Sequence, residues 1–313
     1  MRTSVGVLLL ALAPAMVLAA EFPDWAYPVA PPNLPRLDPD KIITVPGSDK
    51  QYTEVQVNDA FNPPDWFPND HAPMPPIVAN GNRATNVRAC ALCHLTSGDG
   101  HPESSGVAGL PVGYTIRAMA EFKTDNRKGI RAGTMVEIAK AITDEELRAA
   151  AEYFAIRKPL PGYTKVVERE TVPKSYVGAG AMRFANKDGG TEPLGNRIIE
   201  VPQDEPGAHA RNPRTGFIAY VPPSSIAKGQ ALVTTGGGGK TIPCGICHGQ
   251  SLKGIGDVPP IANRSPMYLY RALNDMQSGM RTGTAMALMK AVVEKLNSED
   301  MVALSAYVGS LEP

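Results

Sequence analysis

Two five-residue words, each C-x-x-C-H, use every cysteine in the chain: Cys90-Ala91-Leu92-Cys93-His94 and Cys244-Gly245-Ile246-Cys247-His248. They stand 154 residues apart, and the same offset carries well beyond them. It pairs Ser97 with Ser251, Gly100 with Gly254, Ala108 with Ala262, Tyr114 with Tyr268 and Arg117-Ala118 with Arg271-Ala272. It also pairs Arg127 with Arg281, Gly129 with Gly283, Met135 with Met289, Glu145 with Glu299 and Tyr153 with Tyr307. Residues 90–154 hold 15 identities in 65 ungapped positions, where chance supplies roughly four. With one gap the repeat extends upstream, Ile77-Val78-Ala79-Asn80-Gly81 resembling Ser225-Ile226-Ala227-Lys228-Gly229. The chain therefore reads as two copies of one small domain, residues 77–157 and 225–312.

Each copy has the same expected layout. A short helix precedes the cysteines, a glycine-rich loop follows the histidine, and a second helix starts near Val112 or Pro266. A loop then leads to the methionine. The last helix opens at Thr143-Asp144-Glu145-Glu146 or Asn297-Ser298-Glu299-Asp300, an N-cap residue followed by carboxylates in the first turn.

A histidine directly after a C-x-x-C pair is the attachment pattern of c-type haem. Two thiols add across the two vinyl groups, the two-residue spacer sets their separation, and the histidine falls under the iron. The competing readings are a four-cysteine zinc site and a pair of redox dithiols, neither of which needs the trailing histidines. On the haem reading the chain carries two covalently attached haem c groups, held by Cys90, Cys93 and His94 and by Cys244, Cys247 and His248.

Residues 1–20 read as a secretory signal peptide: Arg2, then an uncharged stretch from Val5 closing on small residues at Ala19-Ala20. The expected location is the periplasm, and no later stretch is long and apolar enough to span a bilayer. The 31 basic residues balance 31 acidic ones, which argues against a nucleic-acid coat.

The residues from Cys90 through Met135 to Tyr153-Phe154, and from Cys244 through Met289 to Tyr307, resemble the class I cytochromes c of the tandem dihaem kind. The resemblance covers a little over half of the chain. It implies a mainly α fold: two tandem haem domains, each iron held by histidine and methionine, working in electron carriage. The implied iron ligands are His94 with Met135 and His248 with Met289. Both methionines lie 41 residues past their histidine. Met119 is the other methionine of the first half. In the second half Met267, Met276, Met280 and Met286 compete, Met286 being the runner-up. One departure stands out. Such domains place a proline after the haem motif whose carbonyl holds the histidine; Pro259-Pro260 fit, but their counterparts are Ser105-Gly106.

Residues 21–76 hold 13 of the 30 prolines and both tryptophans, and read as an extended arm anchored by Trp25 and Trp66 over a haem domain. A docking arm for a partner is the other reading. Residues 158–224 read as a long connector with short strands near 163–168, 197–201 and 217–221. Gly236-Gly237-Gly238-Gly239-Lys240 reads as a flexible lead-in rather than a phosphate loop. His71, His101 and His209 read as surface or loop residues. Arg127 and Arg281 are candidates for haem propionates, with solvated arginines as the alternative.

Function follows from these residues. The leading reading is a periplasmic carrier passing electrons between a donor and an acceptor protein that the sequence does not name. The alternatives are a dihaem redox enzyme, such as a peroxidase or a sulfur-compound oxidising cytochrome, and a cytochrome subunit of a periplasmic dehydrogenase. A methionine at the same place in both halves leaves no open coordination position and disfavours the enzyme.

Overall fold

The computed structural model describes residues 22–313, so the signal peptide read at residues 1–20 lies outside the described residues. Each half is built from helices in the same order. The first half holds Pro76–Ala79, Cys90–His94, Val112–Lys123, Gly133–Ala141 and Asp144–Ala155. The second holds Ser225–Thr235, Gly245–His248, Pro266–Gln277, Met286–Val293 and Ser298–Ser310. The last helix of each half starts where its caps dictate. Thr143 and Glu146 form a reciprocal capping box, as do Asn297 and Asp300. The Gly133–Ala141 and Met286–Val293 helices were not expected; they, and not a loop, carry Met135 and Met289.

Helix Ser298–Ser310 is buried along most of its length against Ser225–Thr235. The two backbones approach so closely that a Cβ at Gly229 would overlap the Ala303 carbonyl, which is why glycine is needed inside that helix. The segment Gly236–Lys240 is an ordered turn rather than a flexible lead-in. Gly236, at φ 73°, closes the preceding helix and accepts from the Thr241 amide.

The connector forms a three-stranded sheet. Strand Phe217–Val221 lies centrally, parallel to Thr164–Glu168 and antiparallel to Ile199–Pro202. Two small antiparallel pairs, Thr171–Pro173 with Thr191–Pro193 and Ser175–Val177 with Arg183–Ala185, flank it. Of the three expected strands, 217–221 matches and the other two start one and two residues late. Tyr163, Met182, Phe184, Ala208 and Phe217 of the connector bury Leu95 of the first half, while Val221 and Ile198 join the core of the second. The arm also divides. Trp25 packs on Tyr270 of the second half, with ring centroids 4.5 Å apart. Trp66 is 1% exposed and donates its indole N–H to the Ala210 carbonyl of the connector at 2.7 Å.

Glu200 fastens the sheet to the second half. It is buried, and its carboxylate accepts from the Ser265 hydroxyl at 2.9 Å and the Met267 amide at 2.7 Å, at the start of helix Pro266–Gln277. Burial pushes its pKa from 4.5 up to about 7, against those hydrogen bonds. A raised folded value means that the stability Glu200 confers is complete below its unfolded pKa and is lost as pH rises through about 7. Glu200→Gln therefore removes a loss on the order of 3 kcal/mol between pH 5 and pH 8. Denaturant melts of both proteins at the two pH values measure it.

Candidate haem sites

The C-x-x-C-H words each wind into one turn of helix, so both thiols and the histidine of a motif come from a single rigid element. The histidines are then oriented by the same bond. His94 Nδ1 lies 2.9 Å from the Ser105 carbonyl, and His248 Nδ1 lies 2.8 Å from the Pro259 carbonyl. A carbonyl only accepts, so Nδ1 carries the proton and Nε2 keeps its lone pair, the tautomer a metal needs. Burial holds both imidazoles below the usual histidine range, against the effect of these bonds. The missing proline of the first half is thus made good by Ser105, whose carbonyl stands in the same place. Each helical turn ends in positive φ, at Leu95 (62°) and at Gly249 (81°).

These residues suit covalent haem better than the competing readings. Burial pushes the Cys90 thiol up to about 12 and the Cys244 thiol up to about 11, so neither is the lowered-pKa thiol that opens a dithiol exchange. Among the described residues no cluster of three or more His, Cys, Asp and Glu side chains gathers as a metal site, so the two cysteine pairs do not meet around one zinc.

The methionines fare differently in the two halves. Met135, early in its helix, packs against the same apolar cluster as Cys90 and Ala91. Met289 is half-buried on its helix and stands outside the cluster that takes Cys244. Met286 opens that helix one turn earlier. Met119 and Met267 are 8% and 1% exposed and serve the cores, and Met276 packs against the core as well.

The halves meet through residues that share the offset of 154, in reciprocal pairs. Arg127 donates to the Tyr268 hydroxyl at 3.1 Å, and Arg281 to the Tyr114 hydroxyl at 3.3 Å. Arg117 reaches Asp257 at 3.1 Å, and Arg271 reaches Glu103 at 3.3 Å. Backbone bonds join Lys128 to Met280 at 2.8 Å and Thr282 to Asn126 at 2.7 Å, placing Arg127 opposite Arg281. Neither arginine is a solvated side chain. Arg281 is 6% exposed with its Nε buried and unpartnered, and Arg127 lies half-buried, 4.5 Å over the Phe122 ring. Two carboxylates share this seam with the guanidiniums: Asp275 stands against Gly129, and Glu121 against Gly283. Burial alone would raise the Tyr114 pKa; the two guanidiniums outweigh it and bring the hydroxyl down to about 8.

Two of the remaining histidines, His71 and His101, are less exposed than expected, while His209 is exposed. The His71 side chain is 5% exposed and pairs with Asp65 at 3.1 Å. His101 lies between the first half and the connector with a buried ring nitrogen, and burial brings its pKa down to about 3. His209 stacks on Phe184 with centroids 4.3 Å apart.

No protein-family profile matches the chain. A thiosulfate dehydrogenase electron acceptor from Stutzerimonas stutzeri is 24% identical over 240 residues, 75% of this chain and 84% of that one. Cytochrome c-554(548) of Halomonas halodenitrificans is 31% identical over 70 residues, 22% of this chain and 84% of its own length. This chain is a class I c-type cytochrome. The cytochrome carries covalently bound haem c and is an electron-transfer protein, not an enzyme. A solved thiosulfate dehydrogenase from Marichromatium purpuratum, in its as-isolated form, superposes with a TM-score of 0.50 at 24% identity. The match takes in 74% of this cytochrome but only 38% of that chain, and shows likeness of fold. Among the described residues no helix of the cytochrome is long and apolar enough to cross a membrane.

Tyr114→Phe and Tyr268→Phe each strip a guanidinium of the seam of its phenol. Each should lower the unfolding free energy by about 1.5–3 kcal/mol, the usual worth of a hydrogen bond to a charged group. Denaturant titration of the haem-loaded protein reads this out.

Proposed function

We propose that this cytochrome is a periplasmic dihaem carrier. One haem would be held by Cys90, Cys93, His94 and Met135 in a domain spanning residues 77–157. The other would be held by Cys244, Cys247, His248 and Met289 in a domain spanning 225–312. The observation that carries the reading is the matched pair of Nδ1–carbonyl bonds, each reaching 11 residues ahead and each leaving Nε2 free to ligate. Haem iron supplies a one-electron couple when bound. The protein residues hold it in place. The thiols would tether it, the carbonyl bonds keep the imidazoles neutral and aimed, and Met135 and Met289 would supply the thioether ligands that exclude other ligands. Arg127 and Arg281 are candidates for the haem propionates, because a guanidinium pairs well with carboxylates. The export signal read at residues 1–20 supports the periplasm.

The name of the Stutzerimonas relative suggests the donor. We propose that a thiosulfate dehydrogenase reduces this cytochrome, which then passes single electrons to a further redox protein. Thiosulfate together with such an enzyme should bleach the oxidised spectrum of the cytochrome; thiosulfate alone should not.

Intact mass under denaturing conditions should show two haems and no disulfide, since all four cysteines are used as thioethers. Met289→Ala should abolish the sulfur-to-ferric-iron absorption of one haem and open that iron to cyanide. Met286→Ala should leave both unchanged. The opposite pair of results would move the ligand one turn along the helix.

A further inference from the structure

The loops that hold the two motif histidines are built alike except at one point. The Ser104 amide donates to the His101 carbonyl at 2.8 Å, and Val258 to Ile255 at 3.0 Å. The Val107 and Ala108 amides both donate to Gly98, at 2.7 and 2.9 Å, as Ile261 and Ala262 both donate to Leu252, at 2.9 and 3.2 Å. Every one of these residues stands 154 places from its counterpart. Between the anchors lies the carbonyl that orients the histidine, Ser105 or Pro259. In the second half it belongs to the pair Pro259-Pro260, whose rings fix both φ angles. Ser105-Gly106 supplies the carbonyl without that stiffness, and glycine is the residue with the most freedom to lose.

The second half makes up the difference from outside. Leu110 is a core residue of the first half, and its counterpart is Arg264. Both follow the same turn: Gly109, at φ 70°, gives its amide to Phe154, and Asn263, at φ 57°, gives its amide to Val308. From this pinned base the Arg264 side chain crosses into the first half. It is 7% exposed and donates to the Ala108 carbonyl at 2.7 Å. Its other terminal nitrogen stands against Gly106, 2.9 Å from where a Cβ would lie, with the Asp99 carbonyl oxygen 3.0 Å from the same point. The guanidinium thus fills the space in which the ring of a proline would begin, and its planar fork spans the loop from Gly106 to Ala108. Holding a guanidinium out of water is costly, and Asp99 close by offsets only part of that cost. Leu110 shows that this position of the repeat does not itself require a cation.

We infer that Arg264 is a positioning residue of the first haem site. Through the segment Gly106–Ala108 it holds the Ser105 carbonyl on His94 Nδ1, the task that Pro259-Pro260 performs for His248. The inference rests on the proposal that both motifs carry haem. A histidine held in this way keeps its ring orientation and its Nδ1 proton, which set how strongly Nε2 donates to a metal. The ligand of the first haem is therefore tuned by a side chain of the second half.

Hydrogen exchange of the two ring Nδ1–H protons, followed by NMR in the reduced two-haem protein, tests this, because each proton exchanges only when its carbonyl lets go. In Arg264→Leu the His94 proton should exchange about tenfold faster, the worth of one hydrogen bond to a charged group. The His248 proton should keep its wild-type rate. Adding Ser105→Pro and Gly106→Pro to Arg264→Leu gives the first loop the means used by the second, and should restore the slow exchange of His94. Loosening of the whole fold would speed both protons and would not be rescued by prolines. Arg264→Lys keeps the charge but has no second nitrogen to brace Gly106, and should speed His94 exchange by about threefold whether or not the leucine variant folds. A wild-type protein with fewer than two haems by mass would overturn the haem proposal itself. Two haems, with His94 exchange unchanged in Arg264→Lys and Arg264→Leu or with both histidine protons speeded alike, would overturn the positioning role alone.

Discussion

Two arginines held opposite one another in a half-buried seam set the terms for this molecule. Removing each from water costs several kcal/mol. Tyr114 and Tyr268 each accept one guanidinium N–H, and Asp275 and Glu121 bring two carboxylates into the same seam. The seam thus gathers charge of both signs from both halves, and each half depends on the other being in place.

This dependence explains where the repeat has kept its identities. Beyond the attachment words, Tyr114, Arg117, Arg127 and Gly129 match Tyr268, Arg271, Arg281 and Gly283. All eight lie where the halves meet. The glycines are instructive, because neither has positive φ. A Cβ on Gly129 would strike the Asp275 carboxylate, and one on Gly283 would strike Glu121. The side chain is excluded by the facing half rather than by the local turn. Asp275 and Glu121 are themselves related by the offset of 154. The identities thus record one face packing on its own copy.

Much of this was legible in the sequence, and the reasons are local. Capping boxes act across three residues, so the starts of the last helices could be read from Thr143–Glu146 and Asn297–Asp300. The helices carrying Met135 and Met289 escaped because Ala132 and Ala285 stand at their N-caps and offer no capping side chain. The parallel pairing of Thr164 with Phe217 escaped because its partners are separated by most of the connector. Arg127 and Arg281 were visible as a pair, but whether water or a neighbour faced them is a property of the seam. The signal that could have decided it was the clustering of repeat identities around them.

The first attachment turn shows why the connector is more than a tether. The residue after each motif histidine must leave the helix with positive φ and extended ψ, a region that only glycine enters at little cost. Gly249 does so at φ 81° and ψ 155°. Leu95 holds the same conformation at φ 62° and ψ 166°, at a cost of order 1–3 kcal/mol for a residue with a Cβ. Its side chain is 6% exposed, buried among Tyr163, Met182, Phe184, Ala208 and Phe217 of the connector. Burying a leucine contributes about 1.5–3 kcal/mol, enough to offset the strain. The cover that hides the first turn is therefore also what allows a leucine to complete it, while the second turn, closed by glycine, needs no cover and can stay bare.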